Sequence, residues 1–286
     1  MGSIISSGAK EPAPEVAAPE VAAPEKEPQA TDAPPAPAVV TPKKAELGAV
    51  LKAGGITKVV LIRHANAEPR DPEAAAVEAG DICREGFPFA NAWTVGDLIR
   101  GITDKGKKQA ADAKSWFDTH ELRAVICSEA TRATATKDIM APGEMFTKGS
   151  PGLLTLHTLH PSRSGTLECE KMFGKLGYGT LNTYYADTSV EGCEGKGKEL
   201  FRGFMDKVTG ELHELISNGI EGFPDTGDTV AVFGHAVFLN AVAVAVAEAM
   251  DIEGAEETIA GMDLGEAEGI MCDGGAGKVE LCVAEA

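Results

Sequence analysis

Within Thr57 to Pro69, TKVVLIRHANAEP, four consecutive apolar residues, Val59, Val60, Leu61 and Ile62, run straight into Arg63 and His64. The run is too short for a helix and rich in β-branched side chains. It follows the turn signal Gly54-Gly55, so it predicts a buried central strand. In open α/β sheets ligands bind beyond the carboxyl ends of the strands. This strand delivers a fixed cation and an imidazole to that position, and the pair is a candidate anion site.

The rest of the chain repeats the pattern. Ala65 to Asp104 is a long segment containing the helical patch DPEAAAVEAG and Phe87-Pro88-Phe89, and reads equally as a lid or recognition element and as a decorative insertion. A helix is predicted from near Thr103, with an apolar face through Ala110, Ala113, Trp116 and Phe117. RAVICS, Arg123 to Ser128, predicts a second strand, and SEATRATATKDIM a turn into a helix carrying Arg132. Pro151 to His160 predicts a third strand, followed by a loop and a short helix ended by Gly177. Lys196 to Asn218 has helical apolar spacing. Thr229 to Phe233 predicts a fourth strand, with Gly234-His235-Ala236 at its carboxyl end and a helix, FLNAVAVAVAEAM, beyond. The final GIMCDGGAGKVELCV predicts a hairpin at the sheet edge.

Strands alternating with helices predict an α/β fold: a three-layer sandwich with a mostly parallel central sheet flanked by helices. In such a sheet, Arg63-His64, Ser128 to Arg132 and His235 share one rim.

Residues 11 to 45 form an Ala, Pro and Glu tract with a near-repeat, PEVAAPEVAAPE. It holds too little apolar surface to offset its ordering entropy, so residues 1 to 46 are expected to be a disordered tether and residues 47 to 286 one catalytic domain. The formal net charge is -18 and no Lys/Arg cluster is present, which argues against a nucleic-acid partner. Two or three local arginines still suffice to bind a small phosphate. The cysteines lack metal or redox spacing and are expected to be reduced thiols of a cytoplasmic protein. The longest apolar run, Val230 to Met250, is interrupted by Gly234-His235, Asn240 and Glu248, so no membrane span is expected. Met1-Gly2-Ser3-Ile4-Ile5-Ser6 fits the myristoylation pattern, with Gly2 as acceptor; one acyl chain would give weak, reversible membrane association.

Four stretches together resemble motifs of the histidine phosphatase superfamily, the phosphoglycerate-mutase-like proteins. LIRHANAE is similar to the family's strand ending in Arg-His-Gly, and ITDKGKKQA to its L-T-x-x-G-x-x-Q-A. SEATRATAT resembles S-P-x-x-R-A-x-x-T, and VFGHAVFLNAV the late His-Gly strand end and helix. The resemblance implies His64 as the nucleophile, Arg63 and Arg132 as ligands of the phosphate oxygens, and His235 as the second pocket histidine. Ala236 and Arg70 are expected beside the substrate, Arg70 standing where many members have a substrate-contacting Asn. Ala65 stands at the usual Gly and Glu129 at the usual Pro. The family's general acid, a Glu shortly after the third strand, is assigned to Glu168, with Glu170 and Asp187 as alternatives.

Elementary chemistry agrees with these implied roles. Guanidinium groups match the equatorial oxygens of a transferring phosphoryl group, and a neutral imidazole is a competent nucleophile when its other nitrogen is held by an acceptor. No metal or other cofactor is then required. His120, His157, His160 and His213 are assigned no role. The expected activity is hydrolysis of a phosphomonoester, small or on a protein, through a phosphohistidine on His64. The alternatives are a phosphoglycerate-mutase-type isomerase and a non-catalytic, membrane-tethered module that binds a phosphorylated ligand.

Overall fold

In the computed structural model, which describes residues 44–70, 92–142, 154–160, 164, 166–219 and 227–283, the apolar run Val59–Ile62 lies inside a six-stranded sheet. In chain order the elements are α1 (Lys44–Ala53), β1 (Lys58–Arg63), α2 (Ala92–Ile99), α3 (Asp104–Asp118), β2 (Leu122–Cys127), α4 (Thr131–Met140) and β3 (Leu154–Thr155). They continue with α5 (Leu167–Leu176), α6 (Leu181–Tyr185), α7 (Gly197–Gly219), β4 (Thr229–Gly234), α8 (Phe238–Ala249), α9 (Ala255–Ala260), β5 (Gly269–Asp273) and β6 (Lys278–Cys282). The strand order is β3-β2-β4-β1-β5-β6. The first four pair in parallel, while β5 and β6 form the antiparallel edge hairpin.

Alternate residues of the central strands feed two cores. Val59, Leu61, Val230 and Val232 join one built with α1, α5, α7 and α8, whereas Val60, Ile62, Ala231 and Phe233 join a smaller one with α3 and α4. The period of two in a strand thus separates two buried faces, and helices cover both. The first face is anchored by aromatic contacts, with Phe238 against Phe201 at 5.7 Å and Phe204 at 5.2 Å between ring centroids. Burying each such side chain contributes about 1.5 to 3 kcal/mol. All of α8 except Glu248 is buried, so the apolar run Val230 to Met250 is a core strand, a turn and a core helix. Among the described residues no helix is long and apolar enough to cross a membrane.

Two expectations about extent change. The domain's first helix begins at Lys44, ahead of residue 47, and its Leu47 and Leu51 are buried in the main core. The third strand is Leu154–Thr155 rather than a run to His160. The carboxylate of Glu211, on α7, accepts the backbone N–H of His157 at 3.0 Å and of Thr158 at 2.9 Å, so the chain leaves the sheet in a tight turn over His157–Leu159. Residues 1 to 43 (most of the stretch expected to be a tether, Gly2 included), the DPEAAAVEAG patch and Phe87-Pro88-Phe89 lie outside the described residues.

Candidate active site

The register of the parallel strands assembles the site. Arg63 is paired with Gly234 and Cys127 with Phe233, so His64, Ser128 and His235 are the next residues of three adjacent strands. The ladder continues one bond past the strands: the His64 N–H donates to the Gly234 carbonyl at 2.9 Å and the Ser128 N–H to the Phe233 carbonyl at 2.8 Å. The rings of His64 and His235 lie 5.4 Å apart, edge to face.

The turn after His64 is held by α3, which accounts for the residue types in ITDKGKKQA. Thr103 caps the helix, its hydroxyl accepting from the Gly106 N–H at 3.1 Å, while its own N–H donates to the Asn66 carbonyl at 3.0 Å. The Gln109 side-chain oxygen accepts from the Asn66 N–H at 2.9 Å. A Cβ on Gly106 would stand 2.3 Å from the Asn66 carbonyl oxygen, so only glycine allows the helix to approach this turn. From α4, the Thr136 hydroxyl accepts from the Ala65 N–H at 3.0 Å and donates to the Arg132 carbonyl at 2.7 Å, tying the first motif to the third.

His64, Arg70, Asp97, Arg100, Arg132, His160, Glu170, Phe173, Tyr178, His235 and Ala236 line a cavity of about 220 Å³, with Phe238 and Gly177. His64 is buried, and its Nδ1–H donates to the Ala65 carbonyl at 2.8 Å, which leaves the lone pair on Nε2. Burial, then the Arg132 charge, holds the His64 pKa well below its ordinary value, so the ring is neutral. His235 is lowered in the same way by burial and Arg132. Arg132 is buried; its Nη2 is 3.0 Å from His235 Nδ1 and 2.8 Å from Asp97 Oδ2, and its Nη1 donates to the Asp97 carbonyl. Desolvation lowers its pKa to about 10, which still leaves it charged near neutrality.

The structure brings His64, Arg70, Arg132, His235 and Ala236 together. It does not bring Arg63 or Glu168 into the cavity. The Arg63 Nη1 donates to the Leu264 carbonyl at 2.7 Å and the guanidinium lies 4.5 Å from the ring centroid of Tyr178, which lines the cavity. Glu168 is exposed, whereas Glu170 is half-buried and lines the cavity. Positions i and i+2 of a helix point about 200° apart, so only one of Glu168 and Glu170 can face inward. Burial, and then the nearby Asp97 charge, raises the Glu170 pKa, as suits a proton donor. Asp187 is not among the residues that line the cavity and caps a turn, accepting from Ser189 and Val190.

The sequence reading missed Asp97, Arg100 and His160. His160 is buried and its Nε2–H donates to Asp97 Oδ2 at 3.0 Å. It follows the third strand, and the strand-end rule that selected His64 and His235 would have selected it too. Asp97 and Arg100 lie in the segment 65 to 104, where no motif marked them. Among the described residues no group of three or more His, Cys, Asp or Glu side chains could hold a metal ion.

No protein-family model matches this chain, and no curated protein does. Solved structures that resemble it include the alpha-ribazole phosphatase of Shigella flexneri, at 15% identity over 80% of this chain and 96% of that one, with a TM-score of 0.42. A mycobacterial glucosyl-3-phosphoglycerate phosphatase is similar at 13% identity over 80% and 99%, with a TM-score of 0.45. Both proteins are members of the histidine phosphatase superfamily, which the four motifs resemble. At such identities and scores the likeness says nothing of activity, which has to be argued from the cavity itself.

Proposed function

We propose that this chain is a phosphatase of the histidine phosphatase type, hydrolysing a phosphomonoester through a phosphohistidine on His64. The observation that carries the reading is the hydrogen bond from His64 Nδ1–H to the Ala65 carbonyl, 2.8 Å long, which presents a neutral ring with its lone pair on Nε2 in a cavity lined by arginines.

In this mechanism Nε2 attacks phosphorus as the bond to the leaving oxygen breaks, and Glu170 gives that oxygen its proton. The Ala65 carbonyl stabilises the positive charge that the phosphorylated ring acquires while it keeps Nδ1–H. Arg70, Arg100 and Arg132 supply donors to the equatorial oxygens, where charge gathers in the transition state. Water then attacks phosphorus, the P–N bond breaks, inorganic phosphate leaves, and the proton lost by water returns Glu170 to its acid form. His64 ends as it began.

Rapid quenching during turnover of a labelled phosphomonoester, in chelator, tests this. One phosphoryl group should be trapped on His64, labile in acid and stable in alkali, and His64→Ala should abolish trapping and turnover. Full turnover in His64→Ala, or label on another residue, would overturn the reading. Trapping without net release of inorganic phosphate, together with phosphoglycerate interconversion, would favour the isomerase.

A further inference from the structure

One heavily contacted charge in the cavity has no part in the proposed reaction. Asp97 is buried near the end of α2, and four cationic or donor side chains converge on its carboxylate. Oδ2 accepts from Arg132 Nη2 at 2.8 Å and His160 Nε2 at 3.0 Å; Oδ1 stands 3.0 Å from Arg100 Nε and 3.3 Å from Arg70 Nη2. These groups come from the chain after β1, from the residue just past α2, from α4 and from the turn after β3. A single counter-ion for the buried Arg132 would need one of these contacts. Convergence of three guanidinium groups and an imidazole from four segments on two anionic oxygens, inside the cavity that also holds His64, is the arrangement of an anion site with its anion in place.

We propose that Asp97 is an internal competitor of the substrate's phosphoryl group: its carboxylate fills the arginine cluster in the resting protein, and a phosphate binds by displacing it. The inference rests on reading the cavity as a phosphate site. Burial alone would raise the Asp97 pKa, but the His160 hydrogen bond and the Arg132 and Arg100 charges outweigh it and hold the group well below the carboxylate range. The group is therefore an anion whenever a phosphate arrives. Two anions cannot share these donors in a buried site without strong repulsion, so α2, which carries Asp97 and packs on α4, has to give way. Asp97 then determines affinity: substrates are held only by the difference between their own contacts and those of the carboxylate they replace.

Calorimetric titration of the full chain with inorganic phosphate tests the proposal without relying on turnover. Asp97→Asn should bind phosphate about tenfold more tightly than wild type or better, with a parallel fall in KM for p-nitrophenyl phosphate. Asp97→Glu, which keeps the charge, should stay within about threefold of wild type. Equal or weaker phosphate binding by Asp97→Asn overturns the proposal. Should that variant fail to fold, hydrogen exchange on the wild type decides: amides of residues 92 to 99 should exchange faster when phosphate saturates the protein, and unchanged or slower exchange overturns the idea. If wild type and variant both turn over substrate but bind phosphate alike, only the role of Asp97 falls. If neither binds phosphate nor turns over an aryl phosphate, the phosphatase reading falls and this inference with it.

Discussion

Arg132 Nη2 stands 3.0 Å from His235 Nδ1, and because a guanidinium can only donate, this contact fixes the tautomer of the histidine. Nδ1 is the acceptor, so the proton sits on Nε2 and is donated to the Ser128 hydroxyl at 2.9 Å. In the proposed mechanism this arginine would serve both as an oxyanion ligand and as the clamp that orients the second histidine.

Replacing Arg132 should accordingly cost more than one lost donor. Deleting a single oxyanion donor lowers kcat by about a hundred- to a thousandfold. Arg132→Gln should reach at least the upper part of that range, while Arg100→Gln should stay in the lower part. Steady-state kinetics on the two variants checks this, and equal losses would show that the His235 contact contributes nothing.

The choice between Glu170 and Glu168 is read from leaving groups. Glu170→Gln should slow hydrolysis of alkyl phosphates, whose leaving oxygen needs a proton, by about a hundredfold or more, and affect p-nitrophenyl phosphate far less. Glu168→Gln, at an exposed position, should leave both rates within about twofold of wild type. The opposite pattern would return the role to Glu168.

The pH dependence follows from two shifts of opposite sign. The His64 pKa is lowered, so the neutral nucleophile persists as pH falls and is lost only well below its ordinary value. The Glu170 pKa is raised, so the proton donor persists as pH rises above the usual carboxylate range and is then lost. The optimum of kcat/KM for an alkyl phosphate should lie on the acid side of neutrality. Its alkaline limb should be shallower with p-nitrophenyl phosphate, and in Glu170→Gln it should no longer distinguish the two substrates. Identical profiles for both substrates in wild type would argue against Glu170.

Gly106→Ala tests the packing of α3 on the turn that follows His64. The added Cβ meets the Asn66 carbonyl oxygen at 2.3 Å, a backbone atom that cannot swing aside. Overpacking of this kind costs about 1 to 3 kcal/mol. Urea unfolding should show a lower midpoint at unchanged slope, together with a fall in kcat, because the displaced turn carries the Ala65 carbonyl that holds His64. A stability loss with normal kcat would mean that the turn tolerates the shift.

The sequence by itself determined what depends on short-range pattern. The run Val59–Ile62 had to be a strand buried on both faces, and polar residues just beyond three such strands had to meet at one rim once parallel register was assumed. His64, Arg132 and His235 were legible for that reason. The tertiary structure decided everything that depends on the phase or path of a segment. The first residue of α5 sets whether Glu168 or Glu170 turns inward; Glu211, more than fifty positions along the chain, ends β3 early and brings His160 to Asp97; and the Leu264 carbonyl and Tyr178 keep Arg63 out of the cavity. Asp97 and Arg100 carried no local signal, because a carboxylate and a guanidinium one helical turn apart are usually solvated. Only the packing of α2 on α4 removes the water and makes Arg132 and His160 their partners.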